Sequence, residues 1–182
     1  MSSLDDKAIE ETFAPSFSQD VGKYMSLALD EARKCAAEGE VPVGAVVVYE
    51  PIDKGTRKAM APPKIVGIGR NMREGSKDAT AHAELLAMKE AMHELDAWRL
   101  SDCTVYVTLE PCIMCAGAMQ QARVKRCIYG ASDPKGGALS SLYRIGDDPR
   151  LNHSFEVVGG IKESECSQIL SDFFKQRRKR KS

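Results

Sequence analysis

The stretch from Cys103 to Ala131 reads as strand, helix, strand. "CTVYVTLE" and "VKRCIYGA" are rich in apolar and β-branched residues, and "CIMCAGAMQQAR" between them has the composition of a helix. Two strands joined through a helix cannot form a hairpin. They lie parallel with a right-handed crossover. That unit commits the chain to an α/β architecture.

The rest of the chain extends the same pattern. From Val21 to Glu38 the apolar residues Tyr24, Leu27, Ala28 and Ala32 recur at helical spacing, with Asp20 as the expected N-cap and Gly39 as the stop. "VPVGAVVVYE" predicts a buried strand, and "KIVGIGRN" its antiparallel neighbour across the loop "PIDKGTRKAMAPP". Thr80 is the expected cap of a helix from about Ala81 to Leu95. The short strand "SFEVVGG" and a final helix from about Ser164 close the chain. Five strands, antiparallel at one side and parallel at the other, predict a mixed five-stranded sheet. No repeat or linker interrupts it, so 182 residues read as one catalytic-size domain over 20–178. A weakly structured extension is expected at 1–19 and a basic tail at 179–182.

Six cysteines, with no secretory pattern in the acidic start "MSSLDDKAIEETFAPSFSQD", predict a cytoplasmic protein with reduced thiols or metal ligands. Cys35, Cys103, Cys127 and Cys166 stand alone among apolar neighbours and read as small core residues. No apolar run approaches the roughly 20 residues of a membrane span. The formal net charge is zero, yet the first twenty residues are acidic and "KQRRKRKS" at the end is basic.

Cys112 and Cys115 are different. Alone, "EPCIMC" fits a redox dithiol, half of a structural zinc site, or part of a catalytic one. A second CxxC or an HxxxH pair that would close a structural tetrad is absent. The chain offers instead "TAHAE", with His82 and Glu84 at the start of the preceding helix. Both sets then lie at helix N-termini, where free N–H groups and the helix dipole favour thiolate. Cys112 and Cys115, at i and i+3, share a helix face. His82 adds a third ligand and leaves a fourth position for water, the arrangement of catalytic zinc. Zinc in favourable sites lowers the pKa of water from about 15.7 to about 7, making hydroxide accessible by on the order of 10 kcal/mol. A carboxylate at Glu84 moving protons adds roughly 10²–10⁴-fold.

H-x-E followed by P-C-x-x-C is the signature of the zinc deaminases. Together with "VPVGAVVV", "GRN", "YVTLEPCIMCAGAM" and "LSDFFKQRRK", it makes the chain from about Tyr24 to Arg178 resemble the bacterial tRNA-specific adenosine deaminases. The resemblance implies a cytidine deaminase-like, three-layer α/β/α sandwich and a homodimer. It also implies conversion of the wobble adenosine of an arginine tRNA (anticodon ACG) to inosine. One Zn2+ per chain would sit on His82, Cys112 and Cys115. Hydroxide would attack C6 of adenine, and Glu84 would deliver a proton as ammonia leaves. Asn71 matches the position that hydrogen-bonds the target base, although by itself it reads as a turn residue after a strand. Asp133 and Lys135 match a loop beside the anticodon nucleotides, and Asn152 and His153 another loop nearby. Phe173 and Phe174, next to the basic tail, suit stacking on splayed bases. Their plainer reading is a core anchor on a terminal helix, and that of the tail is a solvated end. Met88, Met114 and Met119 are assigned to packing, and His93 to a helix surface.

Three features depart from the family pattern: Ala79 in place of the usual proline before "TAHAE", the long connection "YEPIDKGTRKAMAPPK", and the first twenty residues. Two other functions share parts of the motif. One is a deaminase of a free base or nucleoside such as guanine, cytosine or cytidine. The other is a non-catalytic, zinc-containing RNA-binding protein, which would have no use for Glu84.

Overall fold

The computed structural model describes residues 15–53, 55–56 and 58–179. In chain order the elements are α1 (Pro15–Ala37), β1 (Gly44–Tyr49), β2 (Lys64–Arg70), α2 (Arg73–Ser76), α3 (Ala83–Glu94), β3 (Cys103–Leu109), α4 (Ile113–Gln121), β4 (Arg126–Ala131), β5 (Glu156–Val158) and α5 (Glu163–Lys179). The first helix already begins at Pro15. Of the weakly structured extension expected at 1–19, residues 1–14 lie outside the described residues, as do 180–182 of the basic tail.

The sheet runs β2-β1-β3-β4-β5. β1 is antiparallel to both β2 and β3, while β3 to β4 and β4 to β5 are parallel. The crossover predicted from Cys103 to Ala131 is therefore present, with α4 as its connecting helix. The edge strands β2 and β5 are partly exposed, whereas the central strands β1, β3 and β4 are largely apolar because both faces are covered. Their period-two alternation deals side chains to two separate cores. Val46, Val48, Tyr106 and Ile128 face α1 and α5, packing with Met25, Leu29 and Cys166. Ala45, Val47, Val105, Val107 and Cys127 face α3 and α4, packing with Ala87, Met88 and Met119. Each fully buried valine or methionine contributes about 1.5–3 kcal/mol. The result is a mixed sheet between two helical layers.

Two expected helix caps are not used. α1 starts ahead of Asp20. Thr80 donates its hydroxyl to Asp78 instead, so α3 starts later, with His82 at its N-cap. Asp78 competes for Thr80 because its carboxylate also accepts the Thr80 N–H. Gly39 does end the helical segment, with φ +85°. Among the described residues, no helix is long and apolar enough to cross a membrane.

The helix over β2 lies unusually close. A Cβ at Gly67 would stand 2.1 Å from the Ala87 carbonyl oxygen, and one at Gly69 2.3 Å from that of Ala83. "GIG" in the strand is thus a contact surface for the backbone of α3.

Candidate active site

β3 ends at Leu109, and Glu110 and Pro111 lead into α4 with Cys112 at its N-cap. His82 holds the same place on α3. Both residues have extended backbone (φ −79°, ψ 149° for His82; φ −73°, ψ 172° for Cys112), and neither side chain makes a capping hydrogen bond. Each is left free to turn toward the other helix. Cys115 follows in the first turn of α4 and is buried.

The ligand atoms of His82, Cys112 and Cys115 all lie within 4.8 Å of one another. His82 Nδ1 is 3.7 Å from Cys112 Sγ and 3.6 Å from Cys115 Sγ. A tetrahedral ion with Zn–S of about 2.3 Å and Zn–N of about 2.0–2.1 Å needs a nitrogen–sulfur separation of about 3.6 Å. The three residues fit zinc as they stand, and they supply three of its four positions.

Charge in the cluster is shared through hydrogen bonds. The Cys115 thiol, donating to Cys112, brings the Cys112 pKa down to about 3, helped by His82 and opposed by burial. The same contact, with burial, pushes Cys115 up. The hydrogen bond to Cys112 also raises His82, against burial. A cation held by these three ligands would replace the thiol protons in balancing the two sulfurs.

Glu84 sits in the first turn of α3 and is buried. Burial pushes its carboxyl above the ordinary carboxylate range, against the pull of its own backbone N–H, and the negative Cys112 adds to the rise. A cavity of about 140 Å³ opens over the cluster. Asn71, Arg73, His82, Glu84, Glu110, Cys112 and Asp133 are among its lining residues. Buried Asn71 donates its amide Nδ2 to Glu40 (3.2 Å) and to the Val41 carbonyl (3.3 Å). Two acceptors take both amide hydrogens, which leaves the Oδ1 oxygen for a ligand.

The other sequence-predicted residues lie outside the lining of this cavity. Lys135 is exposed, and its N–H donates to Asp133 (3.0 Å). Asn152 accepts from Gln120 and Arg123, and His153 bonds the Val124 carbonyl at 2.9 Å. Both hold the 152–153 loop to the end of α4. Phe173 and Phe174 meet edge to face at 5.5 Å on α5, and Phe174 is exposed. Arg177 of the same helix pairs with Glu74 of α2 at 2.9 Å, beside Arg73. Cys35, Cys103, Cys127 and Cys166 are buried away from the cluster, Met88 and Met119 are buried in the core, and His93 is exposed.

Three charged residues that line or support the cavity carry no signal in the sequence reading: Arg73, Glu40 and Glu110. Glu110 was in plain view before "PC", but every partner of its carboxylate lies more than twenty residues away.

The profile of the MafB19-like deaminase family matches residues 19–178. A tRNA-specific adenosine deaminase of Bacillus subtilis is 44% identical over 158 residues, covering 87% of this chain and 91% of the relative. The enzyme of the same name from Haemophilus influenzae is 44% identical over 159 residues, 87% of this chain and 86% of its own. The chain belongs to the MafB19-like deaminases, among the tRNA-specific adenosine deaminases. A solved structure of a tRNA:A34 deaminase superposes on this deaminase with a TM-score of 0.70 at 40% identity, over 81% of this chain and 99% of that one. The guanine deaminase of Nitrosomonas europaea, 22% identical with a TM-score of 0.61 over 84% of this chain and 83% of its own, shares the fold. The cytidine deaminase-like sandwich implied by the sequence motifs is thus the architecture of this deaminase.

Proposed function

We infer that this deaminase converts the wobble adenosine of a transfer RNA to inosine, releasing ammonia, with one zinc ion on His82, Cys112 and Cys115. The observation that carries this reading is the closure of three ligand atoms on one point beside buried Glu84. It occurs in a chain 44% identical to tRNA-specific adenosine deaminases. Zinc held there supplies a water whose pKa falls from about 15.7 toward about 7, less completely with two sulfur ligands than with an all-nitrogen set.

The chain's own groups do the rest. Glu84 takes a proton from the entering water and gives it up at the base, ending on the exocyclic N6 as that nitrogen leaves. Its raised pKa suits both halves of the task, because a carboxyl far below neutral pH would not hold the proton between them. Asn71 presents its Oδ1 to the polar edge of a flipped adenine. Arg73 and Asp133 stand at the rim, and Lys135, Asn152, His153, Phe173 and Phe174 lie farther out, where the anticodon loop would rest. An arginine tRNA with the ACG anticodon is the substrate and a homodimer the working assembly.

The test is incubation with an ACG-anticodon arginine tRNA, digestion to nucleosides and chromatography for inosine. Inosine is expected from wild type. Glu84→Gln is expected to keep zinc and bind the tRNA while forming inosine about 10²–10⁴-fold more slowly. Absence of inosine, with turnover of free guanine or cytidine, would replace this reading by that of a free-base or nucleoside deaminase.

A further inference from the structure

We propose that Glu110 is a positioning residue that sets Asp133 at the rim of the catalytic cavity and thereby governs recognition of the RNA substrate. Glu110 leaves β3 two residues before Cys112 and is 2% exposed. Its Oε1 accepts the backbone N–H groups of Leu139 (3.2 Å), Ser140 (2.8 Å) and Ser141 (2.9 Å). Its Oε2 accepts the N–H of Asp133 (3.1 Å) and the Ser141 hydroxyl. Five donors, drawn from both ends of the segment 133–141, converge on one carboxylate.

The segment is shaped around that carboxylate. A Cβ at Gly137 would lie 2.3 Å from the Glu110 carboxyl carbon, so any larger residue would push the carboxylate off its donors. Gly137 also pairs with Cys112, and the Ala138 N–H donates to the Pro111 carbonyl at 2.8 Å. The zinc-ligand junction and the loop are therefore one folded unit. Within it, the Asp133 N–H is the point at which Glu110 holds the residue that lines the cavity.

Glutamine at this position separates the two ends of the segment. Its one carbonyl oxygen can replace Oε1 and keep the three donors of 139–141. The amide nitrogen then faces the Ser141 hydroxyl, which can turn to accept, and the Asp133 N–H, which cannot. Glu110→Gln thus releases Asp133 selectively.

The inference rests on the reading of this chain as a tRNA deaminase, and wild type checks that reading in the same assay. Steady-state inosine formation on the ACG arginine anticodon stem-loop is measured for wild type, Glu110→Gln, Asp133→Ala and the double variant. Rates are normalised to bound zinc. No inosine from wild type overturns the functional reading. With wild type active, Glu110→Gln is expected to raise KM about tenfold with kcat within about twofold. In the Asp133→Ala background the same change should alter KM by less than about twofold, because the two act through one contact. An unchanged KM, or effects that multiply independently, overturns the proposal. Should Glu110→Gln fail to fold, Ser141→Ala carries the test. That hydroxyl is the other donor fixing Oε2 beside the Asp133 N–H, so its loss loosens the carboxylate there. It should raise KM about threefold at constant kcat, and less than about twofold in the Asp133→Ala background; an unchanged KM overturns the proposal.

Discussion

Replacing Gly69 by alanine should damage catalysis from the sheet side of α3, without touching a ligand. The added Cβ would lie 2.3 Å from the carbonyl oxygen of Ala83 and 2.7 Å from the nitrogen of Ala87. Ala83 stands between His82 and Glu84, in the turn that carries both. The contact must open from 2.3 Å to at least 3.0 Å. Backbone cannot rotate out of the way as a side chain can, so either β2 bows outward or the first turn of α3 lifts. β2 is an edge strand, but the Ile68 N–H is tied to Glu90 of α3 at 2.7 Å, which makes strand and helix resist separation. Overpacking of this kind costs about 1–3 kcal/mol. For a domain of this size that is a fall in Tm of about 2–12 °C. A displacement approaching 1 Å at catalytic groups costs on the order of 10²-fold in kcat. Calorimetry, bound zinc and inosine formation are measured on the same preparations. Gly67→Ala is the control, because its Cβ meets Ala87, one turn farther from the site, at 2.1 Å. It should lose similar stability and less activity. If Gly69→Ala loses stability as expected but keeps activity within about twofold, the first turn of α3 is not held in place by β2. If its Tm does not move, the packing argument itself is wrong.

Other outcomes follow from the same geometry. Cys112→Ser should reduce bound zinc from about one per chain to a small fraction by metal analysis, since a serine hydroxyl does not become the anion that Cys112 readily becomes. Cys103→Ser, changed in the buried core, should leave zinc content unaltered and lower Tm. For Glu110, burial raises the pKa but is outweighed by Ser141 and the backbone N–H groups, so its folded value lies below the ordinary one. Its stabilising contribution is therefore complete above the ordinary carboxylate pKa and lost as pH falls through the lower folded value. The urea midpoint of wild type should drop across that acid window by more than that of Glu110→Gln. Arg177→Ala breaks an ion pair with Glu74 in which both side chains are over a third exposed. It should change stability by less than about 1 kcal/mol in the same titration.

Much of this fold was legible because its signals are local. The parallel β3–β4 pair follows from a strand–helix–strand run, and the buried strands from uninterrupted β-branched residues. The three zinc-ligand candidates were legible for a related reason: His82 and Cys112 each open a helix, so two short motifs imply two N-termini able to face one another. Caps were less legible. Thr80 is a favoured N-cap residue type just ahead of a helix, and Asp78, two residues earlier, took its hydroxyl. Asn152 and His153 illustrate a different limit. Their side chains are engaged with Gln120, Arg123 and Val124, partners about thirty residues away that no spacing rule would connect.

Glu110 marks the deeper boundary of what residue types can reveal. Four of its five donors are backbone N–H groups, which every residue but proline carries, so the identities of Asp133, Leu139 and Ser140 hold no trace of the bond. Beyond the Ser141 hydroxyl, the sequence signal is steric. Gly137 must lack a Cβ for the loop to pass the carboxylate, just as Gly67 and Gly69 must for α3 to approach β2. In both places glycine marks where backbone presses on a group that serves the site, and at neither does positive φ explain it. A glycine of ordinary φ beside a catalytic motif is therefore better read as the imprint of a close neighbour than as a turn. Applied to "DPKGGA", that reading points inward from Gly137 to the buried carboxylate of Glu110.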